Sequence, residues 1–273
     1  MARIASLHIY PVKSCRGIDV DSTLITPTGP EWDRRWMIII PPDQFITQRS
    51  HPLLATITVS VSDGQLRLVA EGHRPLTVDV NHGGEARRVR IWDDECTGID
   101  AGDAAAAWVS HVLNDTLRLV RVDPAAPRLA NRKYVGAAPQ AVTFTDGYPI
   151  LMISKESLAE LNRRLPEAIP MARFRPNVVI EGVAAHAEDA MTLFRSGPVV
   201  LRGVKLCTRC AVTTTDQKTG ARDPHQQPLR ALGKYRHDYT LKGVTFGQNC
   251  ILVAGIGERL RVGAELSIDP YQV

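Results

Sequence analysis

The sequence predicts a mainly β protein with a few helices (α+β), arranged as two β-barrel-like domains. Three observations predict this class. Apolar and polar residues alternate over many short segments, turn residues separate these segments, and only two segments have helical periodicity. With 273 residues, 44% of them hydrophobic, the chain is long enough for one large or two medium domains.

The first hundred residues are predicted to form a β meander. Apolar residues alternate with polar ones at 57–61 and again at 66–68, on either side of an Asp63-Gly64 turn, which is a β-hairpin pattern. The same alternation recurs at 76–80 and 89–91. Several short strands at this spacing are typical of a barrel or a sandwich.

Two helices are predicted. Residues 103–114 are rich in alanine, have an Asp that can cap the N-terminus, and carry one apolar face. Residues 154–165 begin at a Ser cap and place three leucines on one side. Between the helices, a stretch with three prolines from residue 122 onwards breaks all periodicity, as expected for a domain junction or a functional loop. After the second helix, strands are predicted at 177–182, 198–206 and 244–253.

Composition narrows the class of function. No run of about 18 apolar residues is present, and the N-terminus lacks the pattern of a secretory signal, so we expect a cytoplasmic protein with no membrane partner. The five cysteines are an odd number spread over a large chain, which favours reduced thiols. The net charge of +4 is dispersed, which argues against a nucleic-acid partner and favours a small anionic ligand.

Cys207 and Cys210 form a C-x-x-C pair with four possible interpretations. A structural zinc site lacks a second ligand pair at suitable spacing. A dithiol switch needs its first cysteine at a helix N-terminus, whereas the β-branched residues 212–215 favour a strand. The remaining readings are two ordinary small hydrophobic residues, or a soft ligand for another group.

Three other stretches supply groups that bind phosphate through charge-assisted hydrogen bonds. They are PVKSCRG with Lys13 and Ser14, EWDRRW with Arg34 and Arg35, and MARFRPNVVIEG with Arg173, Arg175 and Asn177. Together they suggest a soft thiolate beside a phosphate-binding cradle.

In this combination the chain resembles the MOSC family, named for the C-terminal domain of molybdenum cofactor sulfurase. The motifs that carry the resemblance follow in order: PVKSCRG, EWDRRW, ITQR, FTDGYP, RFRPN, CTRC with TTTD-x-x-TG, and FGQN. The resemblance is closest to the branch with an N-terminal MOSC β-barrel domain, which includes amidoxime-reducing components and bacterial reductases of N-hydroxylated bases. It implies a MOSC N-terminal barrel over 1–123 and a MOSC barrel over 124–273.

The resemblance also implies roles for individual residues. Cys210 is the implied ligand of molybdenum, and Cys207 is an accessory or structural thiol. Asp146 is a candidate for proton delivery, or it merely caps its loop. The implied contacts to the molybdenum cofactor (Mo-molybdopterin) are Lys13, Ser14, Arg34, Thr145, Gly147, Arg175, Asn177 and Thr208. Two positions depart from the family pattern: Gly147-Tyr148 replaces small hydroxyl residues, and Thr208 replaces Ser but keeps the hydroxyl.

The activity implied is a molybdenum-dependent reduction of N-hydroxylated compounds such as hydroxylaminopurines and amidoximes. Since no ferredoxin-type domain is expected before the chain ends at Val273, electrons are expected from a separate ferredoxin-like protein or reductase. One alternative is a carrier of the cofactor, or a sulfur-relay module that forms a persulfide, without reductase activity. Another is a β domain that binds no cofactor.

Overall fold

The computed structural model describes residues 1–136 and 138–270, and it confirms the mainly β class with a few helices. The first twelve strands are β1 (Arg3–Ile9), β2 (Ile18–Val20), β3 (Ser22–Thr26), β4 (Gly29–Pro30), β5 (Trp36–Ile40), β6 (Gln44–Phe45), β7 (Thr58–Ser62), β8 (Gln65–Val69), β9 (Leu76–Asp79), β10 (Ala86–Ile91), β11 (Asp94–Asp100) and β12 (Arg118–Val122). The others are β13 (Arg128–Leu129), β14 (Ala141–Val142), β15 (Ile150–Ser154), β16 (Val178–Glu181), β17 (Met191–Ser196), β18 (Val199–Thr208), β19 (His237–Asp238), β20 (Gly243–Ala254), β21 (Arg259–Arg261) and β22 (Ser267–Pro270). The helices are α1 (Asp103–Leu113), α2 (Arg132–Val135), α3 (Lys155–Asn162) and α4 (Leu229–Gly233).

Strands β10, β11, β12, β5 and β6 close into a small barrel in the N-terminal part of the chain. Its interior is filled by aliphatic residues such as Met37, Ile39 and Val120, together with Phe144 from the later part. The predicted hairpin at 57–68 is confirmed as β7 and β8, which pair with β9 in a separate three-stranded sheet.

The later part of the chain is organised around a nine-stranded sheet in the order β2-β1-β16-β15-β20-β18-β17-β22, with β19 paired to β20. Strand β1 pairs antiparallel with β16, so the first residues of the chain complete the sheet of the later half. The division of the chain at residues 123 and 124 therefore remains a proposal about folding units. Residue 137, within the proline-rich stretch, and residues 271–273 lie outside the described part.

Both predicted helices are present, with one difference in capping. Ser154 caps α3 as predicted, because its side chain accepts a hydrogen bond from the amide of Ser157. The N-cap of α1 is Gly102, and Asp103 lies in the first turn instead of capping the helix. None of the helices in the described residues has the length and apolar character needed to cross a membrane.

Candidate functional site

The ten residues predicted from the motifs all line one cleft, which we call the Cys210 cleft. It encloses about 860 Å³ of empty space, including its open mouth. The ten residues are Lys13, Ser14, Arg34, Thr145, Asp146, Gly147, Arg175, Asn177, Thr208 and Cys210. Their sequence separation reaches almost 200 positions, so only the folded chain brings them together.

Cys210 lies at the cleft surface with an exposed side chain, directly after β18. The expected strand after it is wrong, because residues 211–214 form a short 3₁₀ turn. The hydroxyl of Thr213 donates to the Cys210 carbonyl (3.0 Å), and that of Thr214 donates to the Ala211 carbonyl (2.7 Å). Such local bonds hold the backbone in a turn and override the β preference of these side chains.

Cys207 and Arg209 belong to the same C-x-x-C segment as Cys210. The Arg209 guanidinium donates from Nη1 to the Cys207 sulfur (2.9 Å) and from Nη2 to the Phe174 carbonyl (2.7 Å). The cation therefore ties the C-x-x-C segment to the loop that carries Arg175. Motif reasoning left Arg209 out of the site, although its place between the two cysteines was a usable signal.

Two arginines of the cleft share one aromatic ring. The guanidinium carbons of Arg34 and Arg175 each lie 4.2 Å from the ring centroid of buried Tyr10. Arg34 also donates to Asp33, to Asn177 Oδ1 (3.1 Å) and to the Arg175 carbonyl (3.1 Å). Burial lowers the pKa of Arg175 to about 10, so Arg175 remains a cation at neutral pH.

Three of the predicted contacts have a strained backbone. Ser14, Arg34 and Arg175 adopt positive φ angles of 68°, 48° and 57°. Residues other than glycine rarely adopt this region, at a cost on the order of 1 kcal/mol or more each, and such strain concentrates at functional sites. The fold therefore holds these three residues in a backbone conformation that they would rarely adopt on their own.

Lys13 and Asp146 form an ion pair across the cleft. Lys13 Nζ lies 2.5 Å from Asp146 Oδ1 and donates to the Phe144 carbonyl (2.8 Å). Burial lowers the pKa of the Lys13 ammonium, although Asp146 opposes this effect. The Asp146 side chain is 70% exposed, so the desolvation that would raise its pKa has little weight, and the charges of Lys13, Arg34 and Arg49 hold the pKa well below its usual range. Asp146 is therefore a carboxylate at neutral pH.

Several buried donors of the cleft have no protein partner in the described part of the chain: Arg175 Nη2, Arg209 Nε and Thr145 Oγ1. Unpaired buried polar atoms are costly, and a polar ligand in the cleft would supply these three with a partner. A phosphate-bearing group would accept from the two guanidiniums and from the hydroxyl. The donor set and the exposed thiol together fit a phosphate-carrying cofactor with a thiophilic metal.

The sequence matches known domains on both sides of the proline-rich stretch. Residues 1–116 match the MOSC N-terminal beta barrel domain, and residues 139–267 match the MOSC domain. The mitochondrial amidoxime-reducing component 1 of Mus musculus is 35% identical over 242 residues, covering 85% of this chain and 71% of that protein. The chain belongs to the MOSC family.

Other MOSC relatives give similar values. Component 1 of Homo sapiens is 33% identical and component 2 of Rattus norvegicus is 32% identical, each covering 85% of this chain and 72% of the relative. The crystal structure of YiiM from Geobacillus stearothermophilus matches with 14% identity and a TM-score of 0.33, covering 68% of this chain and 71% of that one. This structural match is too distant to support an argument.

Other cleft residues were not predicted from the MOSC motifs. Arg49, Trp92 and Asn249 line the cleft wall, and buried Tyr10 contacts both arginines without lining the cleft. Trp92 and Tyr10 belong to segments that carried no motif, so the sequence offered no signal for them. Arg49 and Asn249 end the ITQR and FGQN motifs, which carry the MOSC resemblance but imply no role for these two residues.

Proposed function

We propose that this protein is a molybdenum-cofactor-dependent reductase of N-hydroxylated compounds such as hydroxylaminopurines and amidoximes. One observation carries the proposal: an exposed thiol, Cys210, opens on the same cleft as three strained residues, Ser14, Arg34 and Arg175. Membership of the family whose curated relatives are named amidoxime-reducing components supports it.

Cys210 is the proposed protein ligand of molybdenum. A thiolate is a soft donor and suits a thiophilic metal. The described residues hold no group of three or more His, Cys, Asp or Glu side chains suited to a metal ion. In this proposal Cys210 would be the ligand that the described residues contribute, and most of the other ligands would belong to the cofactor.

The cationic residues are the proposed cradle of the cofactor. The guanidiniums of Arg175 and Arg34 both lie against the Tyr10 ring, and Lys13 adds a compact charge. Guanidinium forks bind phosphate oxygens in pairs, whereas the ammonium acts as a point charge. Ser14, Thr145, Asn177 and Thr208 supply further hydrogen bonds to the polar parts of the pterin.

When bound, the cofactor supplies the two-electron chemistry that removes the hydroxyl oxygen from nitrogen. The balanced reaction consumes the N-hydroxylated compound, two electrons and two protons, and yields the N–H compound and water. The electrons come from a separate ferredoxin-like protein or reductase. Asp146 remains our candidate for proton delivery. Because it is ionised at neutral pH, its carboxylate accepts a hydrogen bond from Lys13 Nζ and holds that ammonium, which carries the proton, in the cleft.

The test uses molybdenum content together with activity. The wild type, Cys210→Ala and the matched control Cys207→Ala are purified from a host that makes the cofactor. We expect Cys210→Ala to lose the metal, and Cys207→Ala to keep most of it together with reduction of 6-hydroxylaminopurine. Full metal occupancy in Cys210→Ala would remove the thiolate from its proposed role.

A carrier or sulfur-relay function is the second candidate, since the exposed Cys210 thiol is also open to persulfide formation. The two functions differ in what the purified protein does. A carrier binds the cofactor reversibly and reduces no substrate, and a relay carries one additional sulfur on Cys210 in its intact mass.

A further inference from the structure

A second cleft opens beside the Cys210 cleft and shares part of its wall. It encloses about 1280 Å³ of empty space, including its open mouth. Both clefts are lined by Cys210, Asp146, Asn249, Arg49 and Trp92. We call it the aromatic cleft because its outer wall carries Trp92, Tyr134 and Tyr148. A ligand here would reach the thiol without entering the part of the Cys210 cleft lined by Lys13, Arg34 and Arg175.

The two clefts differ in charge. Five cationic residues and a single acid line the Cys210 cleft. In the aromatic cleft, Arg49, Lys205 and Arg209 are balanced by three acids, Asp93, Asp94 and Asp146. A low net charge favours a neutral ligand over a phosphate. The aromatic cleft is therefore better suited to a neutral ligand than to the phosphate-bearing cofactor.

Trp92 occupies a costly position. The pairing of Ile91 with Asp94 makes Trp92 and Asp93 the two-residue turn of a β-hairpin, and Trp92 has a φ of 55° at the first turn position. Hairpins with a positive φ there usually place glycine at that position, because a bulky side chain is strained. Trp92 is also 44% exposed, so neither local conformation nor burial explains it.

Neighbouring side chains hold the Trp92 ring in place and still leave the residue 44% exposed. The Arg49 guanidinium lies 4.1 Å from its centroid, and Phe45 packs edge-on at 5.2 Å. On the same wall, Tyr134 meets Tyr148 edge-on at 6.4 Å, and Lys205 Nζ lies 4.6 Å from the Tyr134 centroid. These contacts leave a fixed aromatic surface open to the cleft.

Asn249 supplies a free amide between the two clefts. Its side chain lines both clefts, and none of the hydrogen bonds found among the described residues involves its amide group. A carboxamide offers a donor pair and an acceptor side by side, which matches the edge of a nitrogen heterocycle. An aromatic wall with an unpaired amide is a pattern that recognises a flat base by stacking and by its edge.

We propose that the aromatic cleft is the substrate chamber and that it selects planar, neutral N-hydroxylated heteroaromatic bases over non-aromatic N-hydroxylated compounds. Trp92 stacks on the ring, Asn249 hydrogen-bonds its edge, and the N–OH group points to Cys210. The proposal rests on the proposed function for its reaction, whereas the binding of the base is independent of it.

Binding is tested on the purified full-length protein with adenine, a flat base without the N–OH group. We expect saturable quenching of tryptophan fluorescence in the wild type and in Trp108→Phe, a matched control whose indole donates to the Arg74 carbonyl away from both clefts. Trp92→Phe abolishes the quenching. By calorimetry, Trp92→Ala raises the Kd for adenine about 5- to 100-fold, as expected for the loss of one stacking contact.

Selectivity is tested on the loaded enzyme with its electron donor. We expect Trp92→Ala to raise the KM for 6-hydroxylaminopurine about tenfold or more with kcat retained, and to leave the KM for N-hydroxyurea unchanged. Two binding results would overturn the proposal: quenching that persists in Trp92→Phe, or an unchanged Kd for adenine in Trp92→Ala. An equal loss of activity with both substrates in Trp92→Ala would also overturn it, and would assign this wall to the electron donor. If neither compound is reduced by the wild type, the proposed function fails, and the adenine titration alone still decides the chamber.

Discussion

Gln48 and Gln217 exchange two hydrogen bonds through their side-chain amides, each 3.0 Å long. Gln48 is fully buried, and Gln217 is 8% exposed. Gln48 also donates to the Ser14 carbonyl (2.7 Å), and Gln217 donates to the Thr215 carbonyl (3.0 Å). The pair therefore connects the strained Ser14 segment to the segment that follows Cys210, across 169 positions of sequence.

Replacing both members of this pair should lower the free energy of unfolding by less than the sum of the two single replacements. Gln48→Leu or Gln217→Leu leaves the partner amide buried without its hydrogen bonds, and we expect each to lower the free energy of unfolding by about 1–3 kcal/mol. The double variant should lose about 1 kcal/mol less than the sum of the two. Urea unfolding of the four proteins measures this coupling. Strict additivity would contradict a direct amide pair.

Tyr10 should align the two guanidiniums that lie on its ring. Tyr10→Phe keeps the ring and loses only the hydroxyl bond to the Pro176 carbonyl, so phosphate affinity should stay within about twofold. Tyr10→Leu removes both cation–π contacts, each worth about 0.5–1 kcal/mol, and should weaken phosphate binding about 5- to 20-fold. Titration of inorganic phosphate by calorimetry compares the two variants. Equal losses in both would mean that the hydroxyl matters more than the ring.

Short motifs sufficed to select residues that the fold brings to one cleft. PVKS, EWDRRW, FTDG, RFRPN and CTRC each place their residues on one loop or strand end, and together they contain the ten residues that line the Cys210 cleft. Sequence patterns did not predict the features that depend on contacts between distant residues or on side-chain hydrogen bonds. The turn after Cys210 is held by hydroxyl bonds, whereas β propensity predicts a strand, and the pairing of β1 with β16 cannot be inferred from either segment alone.

Trp92 is a second feature that the sequence pattern does not reveal. In the sequence it is one aromatic residue between two strands, and such residues are usually part of a core. Its importance follows from a positive φ, partial exposure and the proximity of Cys210, none of which leaves a local pattern. Only the folded structure distinguishes Trp92 from a residue of an ordinary hairpin turn.

The charge of Asp146 should oppose anion binding in the Cys210 cleft. It lies beside Lys13 and is coupled to Arg34 and Arg49, so Asp146→Asn leaves these cations less neutralised. We expect inorganic phosphate to bind about 3- to 10-fold more tightly at pH 7.5, an effect that falls with added salt. Asp93→Asn is the matched control, since Asp93 lines only the aromatic cleft. Tighter binding in both variants would point to a general charge effect.

Asp189 should make stability depend on pH in a direction unusual for an acid. Its Oδ2 accepts from Arg236 Nη2 (2.5 Å), and its Oδ1 has no partner among the residues that the structure describes. Burial raises the pKa of Asp189 to about 6, although Arg236 opposes this and Glu188 adds to it. The folded state therefore binds the proton more tightly than the unfolded chain. The stability that this provides is complete below about pH 4 and is lost as the pH rises through 6.

Asp189→Asn should remove this dependence. The free energy of unfolding of the wild type relative to the variant should fall by about 1 kcal/mol between pH 5 and pH 7.5. Urea unfolding of both proteins at the two pH values gives the difference. The other titratable neighbours, His186 and Glu188, are present in both proteins, and the burial that lowers the pKa of His186 acts in both, so their contributions largely cancel. A difference that stays constant with pH would show that Arg236 holds Asp189 ionised throughout this range.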